Sequence, residues 1–552
     1  MKKTITLILG IMLLSCVCLQ AQDKGYVSAS LESNNHFYVD DPVNDNFTVS
    51  SALPQIKEGG FYASNNYLKV DYYNGRLSAG TQLEGYFPHT VGYPSNLNNM
   101  TLSNLYVNWK DDSYSVTVGT FYDQFGSGLL FRSWEDRALG LNNAIVGARA
   151  TYNFKEYIAL KVLWGIPRLG TGNSADEFFG FGLSKTNIAG ADLSISLSEL
   201  FGMDGSSLNI EASVLNKHES TAIEQKFLDR GYRQDIFGWS GRLNFEKDGF
   251  FAKGEYVDAG KQLVNAQTSP VNGNAQLIEL GYNGRGLGIS FTGRRMENML
   301  QKIHTYDNLN TGLFGKPVEN YPNNTLSYRP AMTTQYTYML TTLHPYNPEI
   351  GDRFFPGEIG GQLDVFYNFK RGTAIGGKRG MKVHANFSTY YSLKGKADSE
   401  RAMLFRDFSF DLEKQWTRKF KSTFLYSMQD YNKITERMLS HIFVADLLYK
   451  FTPKFSTRME LQYLTSKDDQ KDWMAGLIEV NFAPHWSVFA SDMYNHGQSK
   501  VHYYNGGVSF AMNHLRIAAG YGRYRAGFIC SGGVCREIPA YTGANLTLTA
   551  SF

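Results

Sequence analysis

A period of two runs through this chain and limits what it can fold into. In residues 104–110, Leu105, Val107 and Trp109 alternate with Asn104, Tyr106, Asn108 and Lys110. In residues 208–215, Leu208, Ile210, Ala212 and Val214 alternate with Asn209, Glu211 and Ser213. The same rhythm sets Leu363, Val365, Tyr367 and Phe369 against Gln362, Asp364 and Asn368. It also sets Met459, Leu461 and Tyr463 against Arg458, Glu460 and Gln462. Side chains alternate across a strand, so each segment is a strand with one apolar and one polar face. The apolar face needs either a second sheet or lipid.

The connections decide between the two. Tight turn signals stand at Asn74-Gly75, Asp111-Asp112, Phe154-Lys155, 246–249, 283–286, 451–454, Ala483-Pro484 and Asn513-His514. Asn-Gly is the most direct hairpin signal among them. Long polar connections stand at 36–63, 87–100, 123–141, 167–186, 217–237, 260–272, 297–357, 392–401, 466–471 and 525–538. Wherever both kinds can be placed, short and long alternate. A sandwich has no reason to sort its loops by parity, whereas a transmembrane barrel does so, with short turns on one side and long loops on the other. The expectation is an all-β chain forming a single antiparallel up-and-down transmembrane barrel of about 24 strands, counted to within about two because boundaries are the weakest part of such readings. The strand number must be even if the first strand rises from the periplasm and the last returns to it.

The orientation of the polar set follows. A charge facing hydrocarbon costs ~2–4 kcal/mol at the bilayer midplane for Arg or Lys. Glu211, Asp364, Arg458 and Glu460 are therefore expected to face the lumen, together with Asn108 and Lys110.

Composition agrees. Among 552 residues are 35 Tyr, 37 Phe and 54 Gly, a mix that suits strands and tight turns. The net charge of +3 gives no reason to expect nucleic acid. Beyond Leu19 no apolar run reaches the ~20 residues of a membrane helix. Lys2 and Lys3, the apolar run 5–19 and small Ala21 read as an export signal over 1–21, leaving 22–552 as the barrel. Leu13-Leu14-Ser15-Cys16 is an alternative lipoprotein processing box, but the apolar run continues past Cys16 without a polar tether. The mature chain keeps Cys530 and Cys535, which in an oxidising compartment are expected to pair across a loop tip. It enters a strand at 25–33, with no plug domain read before it.

A barrel this wide needs something to narrow it, since porins of about 16–18 strands already leave an aqueous channel. Two long connections are the candidates. Residues 123–141 gather Phe131, Arg132, Trp134, Glu135, Asp136 and Arg137, with Gly126 and Gly128 to permit a bend. Opposed charges there form either a constriction that orders solutes or a self-neutralising cluster that stiffens the loop. Residues 297–357 carry Pro317, Pro322, Pro330, Pro345, Pro348 and Pro356 among many tyrosines, a composition suited to contact with a partner or glycan.

The terminal stretch 541–552 places Leu546, Leu548, Ala550 and Phe552 on one face. A last strand ending in Phe, with Leu548 and Phe552 as its signal residues, resembles the C-terminal signal of Gram-negative outer-membrane barrels. Residues 125–149, FGSGLLFRSWEDRALGLNNAIVGAR, and 530–552, CSGGVCREIPAYTGANLTLTASF, resemble an outer-membrane barrel family of Bacteroidota known as a domain of unknown function. That resemblance covers the mature chain. It implies an outer-membrane location and brings no catalytic or ligand residues. A looser similarity links the charged Trp-bearing loop to substrate-specific and alginate-export porins.

No catalytic constellation stands out. Residues 288–293, GISFTG, miss the nucleophile elbow by one position, and His218-Glu219-Ser220-Thr221 lacks a second zinc-binding His. The spacing of Asp40, Asp41 and Asp45 is not that of a calcium loop. No cofactor, metal or enzymatic activity is expected. The expected function is a porin-like channel for small polar solutes. The alternative is a non-conducting scaffold that binds a surface lipoprotein, an assembly partner or an external ligand through its long loops. Expected partners are outer-membrane lipids and the barrel-assembly machinery.

Overall fold

A computed structural model describes residues 25–52, 60–94, 97, 99–170, 181–220, 225–262, 269–299, 301–304, 324–343, 357–393, 402–433, 436–468 and 470–552. The expected export signal lies outside these residues. So do Pro317, Pro322, Pro345, Pro348 and Pro356 of the longest connection.

The barrel strands in chain order are β1 Tyr26–Tyr38, β2 Tyr62–Asn74, β3 Leu77–Tyr86, β4 Asn99–Lys110, β5 Tyr114–Phe121 and β6 Ile145–Phe154. Then come β7 Ile158–Pro167, β8 Thr186–Ser196, β9 Ser206–Glu219, β10 Asp235–Lys247, β11 Phe250–Gln262 and β12 Val271–Gly284. β13 Leu287–Glu297, β14 Gly357–Phe369, β15 Met381–Ser392, β16 Met403–Gln415, β17 Phe420–Lys433 and β18 Glu436–Thr452 follow. The last are β19 Phe455–Ser466, β20 Trp473–Phe482, β21 Trp486–Asn495, β22 His502–Met512, β23 Leu515–Tyr524 and β24 Tyr541–Ser551. All belong to one 24-stranded antiparallel sheet. It closes on itself, because β24 pairs with β23 and also with β1, from Ser30↔Ser551 to Tyr38↔Gly543. Phe552 extends this seam by exchanging both backbone hydrogen bonds with Ala29, at 2.8 and 3.0 Å. Closure leaves no edge strand exposed.

Odd-numbered strands lead into the long connections and even-numbered ones into the short. Asp248-Gly249 and Arg285-Gly286 turn two of the tight hairpins with positive φ at both residues (52° and 84°, 54° and 88°). This is the left-handed pair that matches strand twist, and Gly takes it without strain. Three connections not singled out in the sequence depart from the length rule, one being 197–205 between β8 and β9, which carries a helical turn, Leu197–Phe201. Lys433 pairs directly with Glu436, so the connection from β17 to β18 is only 434–435. The short-turn end between β14 and β15 instead carries 370–380, folded on itself by the Gly377 N–H to the Thr373 carbonyl and the Gly372 N–H to the Gly377 carbonyl.

The apolar strand faces point outward. Leu105, Val107 and Trp109 on β4 are 44–51% exposed, and Met459, Leu461 and Tyr463 on β19 are 39–51% exposed. An aromatic row marks the short-turn rim, with Phe250 and Tyr282 at 4.7 Å, Phe455 and Phe482 at 5.2 Å, and Trp486 and Phe510 at 4.7 Å. An apolar outer band bordered by an aromatic girdle is what a bilayer demands of a barrel. The buried clusters sit inside the ring, where connections fold in against the wall.

Candidate functional site

The connection from β5 to β6, residues 122–144, turns into the barrel. Phe125, Leu129, Leu130 and Phe131 are at most 1% exposed and pack on Leu163, Ile188, Leu215, Val257, Ala275 and Met296 of the inner wall. The bend is made at Gly126 and Gly128, with φ of 52° and 91°. A Cβ on Gly126 would lie 2.5 Å from Arg242 Cδ, and one on wall residue Gly190 would lie 2.8 Å from the Phe125 ring. Loop and wall therefore meet with no spare space. Around this apolar contact the wall is charged. Lys161 Nζ donates to Asp123 at 2.6 Å, and Arg149 approaches the same carboxylate at 3.3 Å. Arg242 spans Glu211 at 2.6 Å and Asp192 at 2.5 Å.

The six loop residues singled out in the sequence take separate parts. Phe131 and Trp134 are buried anchors. The Arg132 guanidinium lies 3.9 Å from the Tyr328 ring centroid and 5.4 Å from that of Trp134. Glu135 accepts from Gln82 Nε2 at 2.8 Å and Arg137 Nε at 3.2 Å. Arg137 reaches Glu32 on β1 at 2.6 Å and lies over the Tyr67 ring at 4.3 Å. Asp136 Oδ1 accepts the Leu139 N–H at 3.1 Å. Within the charged quartet only Glu135 and Arg137 form an ion pair. The cluster ties the loop to the wall and to a second segment.

That second segment is residues 324–343, from the connection between β13 and β14. It runs along the inside of five consecutive strands. Thr333 donates to Asp407 on β16 at 2.9 Å, and Tyr336 donates to Asp411 at 2.6 Å. His384 on β15 stands between Asp411 at 2.8 Å and Asp364 on β14 at 2.7 Å. The Thr341 carbonyl accepts from Gln429 on β17 at 2.9 Å, and the Leu340 N–H donates to Gln462 on β19 at 2.9 Å. Leu340 is fully buried against inward-facing Leu425, Ile442, Val444 and Leu464.

The two inserts are joined. The Arg132 N–H donates to the Leu326 carbonyl and the Tyr328 N–H to the Gly128 carbonyl, each at 2.8 Å. A small hairpin between β23 and β24, Gly527–Ser531 with Val534–Ile538, closes over both. The Cys530–Cys535 disulfide bonds its opposed residues. At its tip the Gly532 carbonyl accepts the Arg329 N–H at 2.7 Å, and Arg536 donates to the Ala138 carbonyl at 2.8 and 3.1 Å. Beside the hairpin, Arg523 and Thr542 hydrogen-bond Asp41 at 2.8 Å each. Burial alone would raise the Asp41 carboxyl pKa, but the Arg523 and Thr542 hydrogen bonds hold it below the usual carboxylate range.

The strand residues named from the dyad pattern lie on the inner register. Glu211 meets Arg242, and Asp364 meets His384. Arg458 bonds both oxygens of Asp446 at 3.0 Å and reaches Glu460 at 2.6 Å. Asn108 accepts from Thr117 at 2.8 Å. Lys110 is exposed at the short-turn end of β4. Sequence reasoning missed Asp192, Arg242, His384 and Asp411, although each falls on the same inward parity as its neighbours. Among the described residues no cluster of three or more His, Cys, Asp or Glu side chains is arranged to hold a metal ion.

Among solved structures, the P pilus usher (PapC) translocation pore is similar at a TM-score of 0.44 and 9% identity, covering 95% of this chain and 99% of that one. The siderophore receptor PirA from Pseudomonas aeruginosa is similar at a TM-score of 0.40 and 7% identity, covering 97% and 81%. A mutant of the Rh. blastica porin reaches a TM-score of 0.28 and 13% identity, covering 58% and 93%. Likeness at this level assigns no activity. No curated protein matches the chain. The model of the family of unknown function DUF6029 matches residues 1–552, and the chain belongs to that family.

Proposed function

We propose that the protein is an outer-membrane, porin-like channel for small polar solutes, narrowed by residues 122–144 and 324–343. The observation that carries this reading is the polar inner wall left beside the inserts. Arg149, Lys161, Arg458 and His384 are partly exposed on it, each paired with a carboxylate that is also lumen-facing or loop-borne. Paired charges on a lumen wall favour hydrated polar solutes of either sign over apolar ones. On this reading Arg132, Glu135, Asp136 and Arg137 border the passage, while Phe131 and Trp134 hold their loop in place. The chain is exported with a cleaved signal and inserted by the barrel-assembly machinery.

Complete burial of Phe125, Leu130 and Phe131 supports a second reading, in which the lumen is shut and the barrel is a scaffold. A surface lipoprotein or external ligand then docks on the long loops.

Planar-bilayer recording of the purified protein tests the first reading. Small discrete steps are expected, and larger ones from a variant lacking residues 126–131. Silence from wild type with steps from the deletion favours the scaffold. Silence from both, in heat-modifiable folded protein, overturns the channel.

A further inference from the structure

The short-turn end of the barrel is unevenly charged. Taken from two residues before each connection to two after it, the six short-turn connections from β2 to β13 carry five Lys or Arg and seven Asp or Glu. The next three, within residues 367–383, 413–422 and 450–457, carry eleven Lys or Arg and one acidic residue, Glu413. Glu413 is already occupied, by Lys421 at 2.5 Å and Lys382 at 3.4 Å. The other nine cations form no ion pair among the described residues.

These three turns make one surface. The Lys414 ammonium donates to the Ile375 and Gly376 carbonyls at 2.8 and 3.0 Å, which ties 370–380 to β16. The Lys419 ammonium donates to the Phe451 carbonyl at 3.0 Å, which ties the β16–β17 turn to the β18–β19 turn. Arg371, Lys378, Arg418 and Lys454 are exposed on it, and Ile375 among them is 57% exposed. Like charges this dense repel one another, and an anionic partner relieves the repulsion. Bilayer phosphates meet every turn of the rim alike. They give no reason for the turns from β2 to β13 to be net acidic while the next three are strongly basic.

We propose that the arc from β14 to β19 is a docking surface for an acidic segment of another protein. So many cations without carboxylates in one arc call for a closely spaced row of carboxylates, which consecutive Asp and Glu residues supply. Six neighbouring strands span about 25–30 Å of the rim at their usual spacing and tilt. An extended run of about eight acidic residues covers that length at about 3.3–3.6 Å per residue. Arg371, Arg379 and Arg418 offer forked donors that match a carboxylate, and Ile375 offers an apolar contact beside them. Short turns of an outer-membrane barrel face the periplasm, so on that reading the partner is periplasmic. The surface itself does not depend on conduction.

The test is fluorescence anisotropy of labelled decaglutamate with the full-length barrel in phosphatidylcholine nanodiscs. Saturable binding is expected, and its loss as ionic strength rises through about 0.1–1 M, where the Debye length falls from about 10 to 3 Å. Two variants are each expected to weaken it about tenfold: Arg371→Asn with Lys378→Asn and Arg379→Asn, and Arg418→Asn with Lys454→Asn. Arg76→Asn with Lys155→Asn and Arg285→Asn removes three turn cations from the other arc and is expected to leave binding unchanged. Absence of binding by the folded barrel overturns the surface. So does equal weakening by all three variants, which would make the attraction diffuse. Binding abolished in phosphatidylglycerol nanodiscs would give the arc to lipid. Displacement by muramyl peptides at a lower carboxylate concentration than unlabelled decaglutamate needs would give it to the cell wall. Either overturns a protein partner.

Discussion

The two inserts that enter this barrel hold on to its wall by different physics. Residues 122–144 dock through an apolar knot, Phe125 against Phe131 at 5.1 Å with Leu129 and Leu130 beside them, in contact with wall positions that include glycine. Residues 324–343 add to three buried apolar contacts, Leu326, Met332 and Leu340, a row of hydroxyls and amides on the acidic and amide groups of β15 to β19. Apolar close packing has one good arrangement and penalises every other. Hydrogen bonds to a polar wall exchange with water at small net cost. The first insert is thus held chiefly by close packing, and the second by directional hydrogen bonds in addition to its buried apolar side chains.

The largest effect is expected at the apolar knot. Phe125→Ala removes a fully buried ring, and such truncations cost about 3–5 kcal/mol. Gly190→Leu attacks the same contact from the wall by driving a side chain into the space of that ring. Both variants are expected to expose residues 126–132 to protease and enlarge conductance while the barrel stays heat-modifiable. Unchanged proteolysis in both would show that the knot does not hold the loop.

A smaller effect is expected on the polar side. Tyr336→Phe keeps the ring and deletes the hydroxyl that bonds Asp411, a loss of about 1.5–3 kcal/mol for a hydrogen bond to a charged group. Protease cleavage is expected to rise within 324–343 and not within 122–144. Equal rises in both would mean that the inserts move as one body, joined through the Arg132 and Tyr328 backbone bonds.

The disulfide sharpens the comparison least, and it addresses both inserts at once. Cys530 and Cys535 are five residues apart, and so short a loop contributes about 2 kcal/mol in the chain-entropy account. Cys530→Ser with Cys535→Ser is expected to loosen the hairpin over Ala138 and Arg329, seen as faster hydrogen exchange there, with barrel strands unaffected. Exchange unchanged at Ala138 and Arg329 would assign the hairpin's hold to Arg536 and the backbone alone.

Much of the barrel was legible in the chain because strand periodicity is local. Residues 104–110 and 458–464 declare their faces without reference to anything else, and a charge at Glu211 or Arg458 has only one affordable side. Turn residues such as Asp248-Gly249 declare themselves equally, since positive φ at both positions is a local demand. The direct pairing of Lys433 with Glu436 and the eleven-residue fold of 370–380 show the limit of the length rule: a connection's length reflects what its ends must reach. The charged quartet 132–137 was visible as a cluster, but its partners were not. Glu32 lies about a hundred residues away in sequence, and Tyr328 belongs to another connection, so only closure of the barrel brings them to Arg137 and Arg132.

By itself, the sequence determined that strands of opposite-faced character would alternate with short and long connections, that their charges would point away from lipid, and that a terminal strand could pair with the first. These follow from the two-residue period and from the cost of charge in hydrocarbon, which act within a few residues. Tertiary structure alone decided that residues 122–144 and 324–343 turn inward, that they interlock under the Cys530–Cys535 hairpin, and that a cavity remains between residues 333–343 and that hairpin. Those outcomes depend on which wall positions are small, which are polar and which stand opposite one another across a closed ring. No stretch of chain carries that information before the ring is closed.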